Sequence, residues 1–134
     1  MKTIVFCTVL ILLYGCKDNS TEPSVSKIDS GDYSGTFTFT EAGKTTTTAI
    51  KFTFDGFKYK YQPGDIFNPP PGFGGYSIQN HTIVLNDLAG RVAIYDETLV
   101  LRGAFLYAES ATTIVFTQQD VERKRSRQIE LIKK

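Results

Sequence analysis

Ile50-Lys51-Phe52-Thr53-Phe54-Asp55-Gly56-Phe57-Lys58-Tyr59-Lys60-Tyr61 is the stretch whose reading decides the fold. Apolar and polar residues alternate on both sides of Asp55-Gly56, so each flank reads as a half-buried strand with its rings on one face. Asp-Gly between two such runs is a tight-turn signal, because the turn needs backbone angles that glycine reaches without steric cost. Phe57, Tyr59 and Tyr61 are therefore expected to return antiparallel against Ile50, Phe52 and Phe54.

The same alternation extends outward. Upstream, Tyr33, Gly35, Phe37 and Phe39 share one face while Ser34, Thr36, Thr38 and Thr40 share the other. A turn at Glu41-Ala42-Gly43-Lys44 leads into Thr45-Thr46-Thr47-Thr48, a β-prone strand start. Downstream, residues 63–75 hold four of the five prolines and four glycines, a density of missing donors that reads as an irregular loop. Strands resume at Tyr76-Ser77-Ile78 and, past a turn at Asn80-His81, at Thr82-Ile83-Val84-Leu85. Residues 87–97 leave two readings open: a short strand at Val92-Ala93-Ile94-Tyr95 or a packed crossing loop. Residues 99–107 and 112–117 form a further hairpin, and Ile129-Glu130-Leu131-Ile132 ends the pattern. With no helical period beyond the first residues, the expected fold is all-β: a small antiparallel up-and-down meander of about eight strands. Closure into a barrel, the last strand beside the first, would remove exposed edges.

The N-terminal residues follow a different logic. Met1-Lys2 gives a positive start, and residues 4–13 are apolar except for Cys7 and Thr8, the pattern of a secretory signal peptide. Ten such residues fall short of the roughly 20 that a membrane-crossing helix requires. Leu13-Tyr14-Gly15-Cys16 resembles the bacterial lipobox, with an aliphatic residue, a small residue before the cut and then a cysteine. The resemblance implies a signal peptide over residues 1–15 and diacylglycerol attachment at the Cys16 thiol, with further acylation, such as palmitate, on its freed amine. It also implies a lipid-anchored protein of the outer membrane, facing the periplasm or the cell surface. Residues 16–30 are mostly polar and read as a flexible tether reaching about 45 Å when extended. Lys17-Asp18-Asn19 resembles the export signal of Bacteroidetes surface lipoproteins.

Residues 31–134 have the size of one domain and bury roughly two-thirds of the chain's surface on folding. Cys7 leaves with the signal and Cys16 is taken by lipid, so neither a disulfide nor a cysteine metal site is expected. The full chain carries 15 Lys and Arg against 14 Asp and Glu, and loss of Lys2 balances it, which provides no global field for nucleic acid. The basic residues Arg123, Lys124, Arg125, Arg127, Lys133 and Lys134 gather near the C-terminus and read as a solvated turn and last strand.

Gly31-Asp32-Tyr33-Ser34-Gly35-Thr36-Phe37, Gly75-Tyr76-Ser77-Ile78 with His81-Thr82-Ile83, and Leu99-Val100-Leu101-Arg102-Gly103-Ala104-Phe105 carry a second resemblance. They are similar to short uncharacterised lipocalin-like lipoproteins of Bacteroidetes, over most of residues 31–134. Lipocalins begin with Gly-x-Trp covered by an arginine from the far end of the chain. Gly31-Asp32-Tyr33 stands in that place here, and the resemblance implies a cover from Arg123, Arg125 or Arg127. With tyrosine for tryptophan and a shorter chain, the interior can be filled by side chains alone.

Residues able to carry chemistry are few. His81 is the only histidine, so no multi-histidine metal site is expected, and its place beside Asn80 is that of a turn residue. Asp96-Glu97 are adjacent and on a strand would face opposite ways, so they do not make a paired-carboxylate site. No catalytic constellation, cofactor or metal is therefore expected. The candidate contacts are aromatic: Tyr59, Tyr61 and Tyr76, with Phe67 and Phe73 on the proline-rich loop. Two functions follow as expectations. One is a barrel binding a small apolar or glycan-derived ligand; the other is an interaction module, a subunit or inhibitor, docking an envelope protein through the proline-rich loop.

Overall fold

The computed structural model describes residues 26–65 and 68–134. The expectations placed on the signal peptide, Cys16 and Phe67 lie outside the described residues. Eight antiparallel strands run in chain order and close into a barrel, an architecture consistent with the lipocalin-like expectation. They are β1 (Gly31–Glu41), β2 (Lys44–Asp55), β3 (Lys58–Pro63), β4 (Gly72–Gln79), β5 (Thr82–Asp87), β6 (Gly103–Glu109), β7 (Thr113–Asp120) and β8 (Arg125–Lys133). Every neighbour is the next strand in sequence, and β8 pairs with β1 from Tyr33↔Lys133 to Glu41↔Arg125, so no edge is left open.

Alternation places the rings inside. Tyr33, Phe37, Phe52, Phe54, Tyr59, Tyr61, Tyr76, Phe105 and Phe116 are all buried, joined by aliphatic residues such as Ile50, Ile83 and Leu131. Phe52 stacks on Phe54 at 5.5 Å and on Tyr61 at 5.2 Å, and meets the edge of Phe116 at 6.2 Å. Offset and edge-on pairs of this kind contribute about 0.5–1.5 kcal/mol each beyond the area they bury. Thr38 and Thr47 face each other on the exposed side, as do Thr40 and Thr45, hydroxyl to hydroxyl at 3.3 and 2.9 Å. Apolar inside and polar outside is the reverse of a barrel immersed in lipid.

Two-residue turns join several strands. Asn80 and His81 both have positive φ, the geometry that matches the twist of a two-residue hairpin. In the β2–β3 turn, Gly56 has φ of +58°, and the register Asp55↔Lys58 puts Phe57 in the turn. Phe57 is thus 48% exposed instead of continuing the strand. Because side chains alternate with a period of two, Tyr59 and Tyr61 still face inward.

Three further expectations are corrected. Among the described residues, 64–65 and 68–71 are irregular, while Gly72 through Gly75 are strand, since glycine keeps the ladder donor that proline lacks. The expected strand over residues 99–107 begins only at Gly103, preceded by a 3-10 turn at Glu97–Leu99. Within the span read as a flexible tether, the described residues 26–30 pack on the barrel: Ile28 is fully buried and Ser26 bridges to Ile78. One apolar residue suffices there because the barrel end is open to it. The Ile28 amide donates to the Tyr76 hydroxyl at 2.9 Å, and that hydroxyl donates to the Gly56 carbonyl at 2.8 Å. The Tyr33 hydroxyl donates to the Asp29 carbonyl at 3.0 Å.

No arginine covers Tyr33. Arg125 pairs with Glu41 at the far end of β1, and the residue opposite Tyr33 is Lys133. The antiparallel closure sets this, because the start of β1 lies beside the end of β8.

Candidate functional site

Tyr59, Tyr61 and Tyr76 are 3–4% exposed and form part of the core. Their rings pack in the barrel lumen, and Tyr61 also borders the groove described below. The Leu101 amide donates to the Tyr61 hydroxyl at 3.4 Å. Burial pushes that hydroxyl up to about 12, with the Leu101 bond pulling the other way. Burial raises Tyr59 as well, reinforced by the nearby Asp87 charge. Both stay neutral wherever the protein is folded under ordinary conditions. Phe73 takes the opposite position, 52% exposed on the outer face of β4.

A concave surface lies on that outer face. Register lines up Asp32, Thr53, Lys60 and Phe73 across β1 to β4. The next row sets Ser34 beside Lys51 and Lys51 beside Gln62. The Leu88 amide continues the β4–β5 pairing by donating to the Phe73 carbonyl at 2.8 Å, and Ala89, Gly90 and Tyr95 beyond it line the groove as a wall. The result is a groove of about 760 Å³ lined by polar side chains of β1 to β3, Lys51, Lys60 and Gln62 among them, and by the rings of Phe52, Tyr61, Phe73 and Tyr95.

A buried ion pair positions the wall. Asp87 ends β5 and pairs with Arg91, their side chains 3% and 6% exposed. The Asp87 carboxylate holds the Arg91 guanidinium above its usual value. Arg91 also donates to the Pro71 carbonyl at 2.9 Å and to the Ala89 carbonyl at 3.3 Å, tying the two long loops together. Only glycine fits at residue 72: a Cβ there would lie 2.7 Å from Arg91, Asp87 and Tyr61 side-chain atoms alike. On the other side of the same loop, Arg127 donates to the carbonyls of Thr98 and Val100 and to Gln118, while Val100 and Leu101 seal the core without exposure. Residues 88–102 are thus clamped at both ends.

Arg91→Leu should cost about 2 kcal/mol, because Asp87 would be left charged, buried and unpaired. Hydrogen exchange is the measurement that checks it. The Leu101 amide should exchange earlier than those of β7 and β8.

The remaining candidates take structural roles. His81 is exposed in its turn. Asp96 caps the 3-10 turn by accepting from the Thr98 amide at 2.8 Å, and Glu97 pairs with Arg102 at 3.5 Å. Among the basic residues near the C-terminus, Arg123 pairs with Asp120 and Lys133 with Asp29. No group of three or more metal-ligating side chains occurs among the described residues.

No family model matches the chain, and neither a curated protein nor a solved structure matches it. The functional argument therefore rests on the groove. Sequence reasoning found Phe73 but missed Lys51, Lys60 and Gln62, whose signal was the polar half of the alternation in β2 and β3. Arg91 was missed although Asp87 lies only four residues before it, because the burial of the pair and the contact to Pro71 come from the fold.

Proposed function

We propose that this protein is a binding module anchored to a bacterial envelope by lipid on Cys16, and that its outer groove takes a carbohydrate-type ligand. The observation that carries the reading is an exposed ring, Phe73, standing beside a floor of hydroxyl, amide and amine groups on a rigid sheet. Sugars present apolar C–H faces that stack on such a ring and hydroxyls that bond such a floor. A site built on strands keeps its geometry without a ligand, which lowers the ordering cost of binding.

The test is binding of the full mature chain to arrayed oligosaccharides. Phe73→Ala should weaken any captured sugar about tenfold, the worth of one stacking anchor, while thermal unfolding stays unchanged. Binding that survives the substitution would count against the groove. Anchoring is tested apart from it: Cys16→Ala should release the protein from the membrane fraction or leave its signal uncut, since stable attachment needs the acyl chains.

A second reading has its own observation. Leu88, Val92 and Ile94 are 63–70% exposed on the clamped loop, and such a patch fits docking of an envelope protein. Cross-linking from residue 92 in intact cells would distinguish it.

A further inference from the structure

The charges of the groove narrow the ligand further, given the carbohydrate reading above. Over the whole chain, cations and anions nearly balance. The groove lining does not balance: Lys51, Lys60, Arg91 and Lys134 stand against a single acid, Asp32, and among the described residues only Arg91 of the four is ion-paired, with Asp87. Asp32 accepts from the Thr53 hydroxyl at 2.8 Å, and its single negative charge offsets only part of the excess.

The described residues hold five ion pairs, made by Arg91, Arg102, Arg123, Arg125 and Lys133. Lys51, Lys60 and Lys134 have no such partner among the described residues. Lys51 sits opposite Gln62, and Lys60 opposite Thr53, so the two lysines are diagonal neighbours on one face. At that separation, about 7–8 Å between backbones, like charges repel. An anionic group placed between them would turn that repulsion into attraction, gaining two charge-assisted hydrogen bonds. The rings of Phe73 and Tyr95 stand beside this pair, so one ligand can reach both.

We infer that the groove binds an acidic oligosaccharide, with a carboxylate or sulfate between Lys51 and Lys60 and a sugar face on Phe73. The groove's size suits a few sugar units and not an extended polyanion lying across the barrel.

The experiment uses the full mature chain in detergent on an array pairing each uronate-bearing or sulfated oligosaccharide with its neutral counterpart, together with inorganic polyphosphate. Capture confined to acidic sugars, weakening as salt rises, supports the inference. Lys51→Gln with Lys60→Gln should then reduce affinity about tenfold with melting unchanged, since each exposed charge contact is worth up to a fewfold. Equal capture of the neutral counterparts overturns the inference and leaves the carbohydrate reading standing. Capture of polyphosphate as tight as that of any sugar, or no capture of any sugar, overturns both.

Discussion

Phe52→Ala should lower the stability of the barrel by about 4 kcal/mol, the range for deleting a fully buried ring whose surroundings cannot collapse. The side chain is 1% exposed and touches four other rings, Phe54, Tyr59, Tyr61 and Phe116, which come from β2, β3 and β7. These neighbours belong to a closed sheet, and their positions are fixed by ladders on both sides, so they cannot move in to fill the void. For a domain of this size the loss corresponds to roughly 20 °C in Tm. Phe52→Leu keeps much of the volume and should cost about 1.5 kcal/mol. Denaturant unfolding of the two variants checks the pair; equal losses would mean that the ring stacking is not what holds the sheet together.

Closure of the barrel is expected to fail at one glycine. A Cβ at residue 35 would lie 1.7 Å from the Glu130 carbonyl oxygen and 2.9 Å from the Leu131 Cα, all of it backbone of β8. Backbone in a paired strand cannot swing aside as the tip of a flexible side chain can. Gly35→Ala should therefore cost about 3 kcal/mol and should separate β8 from β1 before the rest of the sheet loosens. Hydrogen exchange checks the location, with β8 amides losing protection first. Gly90→Ala is the matched comparison, since a Cβ there meets nothing within 4 Å, and it should stay within about 0.5 kcal/mol. Uniform loss of protection across the barrel would argue against a local seam.

The fold was legible because its period is short. The alternation in β1, β2 and β3 states which side chains face inward, and the Asp55-Gly56 and Asn80-His81 pairs state where the chain turns. Errors arose where a residue type has two uses. Gly72, Gly74 and Gly75 resemble loop residues in sequence, yet the sheet uses them for close approach: a Cβ on Gly74 would lie 1.7 Å from the Asn86 carbonyl oxygen. Ile28, isolated among polar residues, read as tether and turned out to plug one barrel end. The aromatic residues singled out as contacts divided by parity. Tyr59, Tyr61 and Tyr76 point inward on their strands, and Phe73 points out on the same strand as Tyr76, three residues away.

Local sequence by itself determined the strands, the inward face and the antiparallel turns, because side-chain alternation and turn geometry are properties of a few consecutive residues. It also carries the resemblance to a lipobox on which the expectation at Cys16 rests. The groove was decided only by tertiary structure. Lys51, Lys60 and Phe73 become neighbours through the register of β2, β3 and β4, and the wall opposite them stands where it does because Asp87 and Arg91 bury one charge against another. Asp87 and Arg91 are only four residues apart, but their burial, and the register that sets Lys51, Lys60 and Phe73 side by side, come from strands and loops distant in sequence.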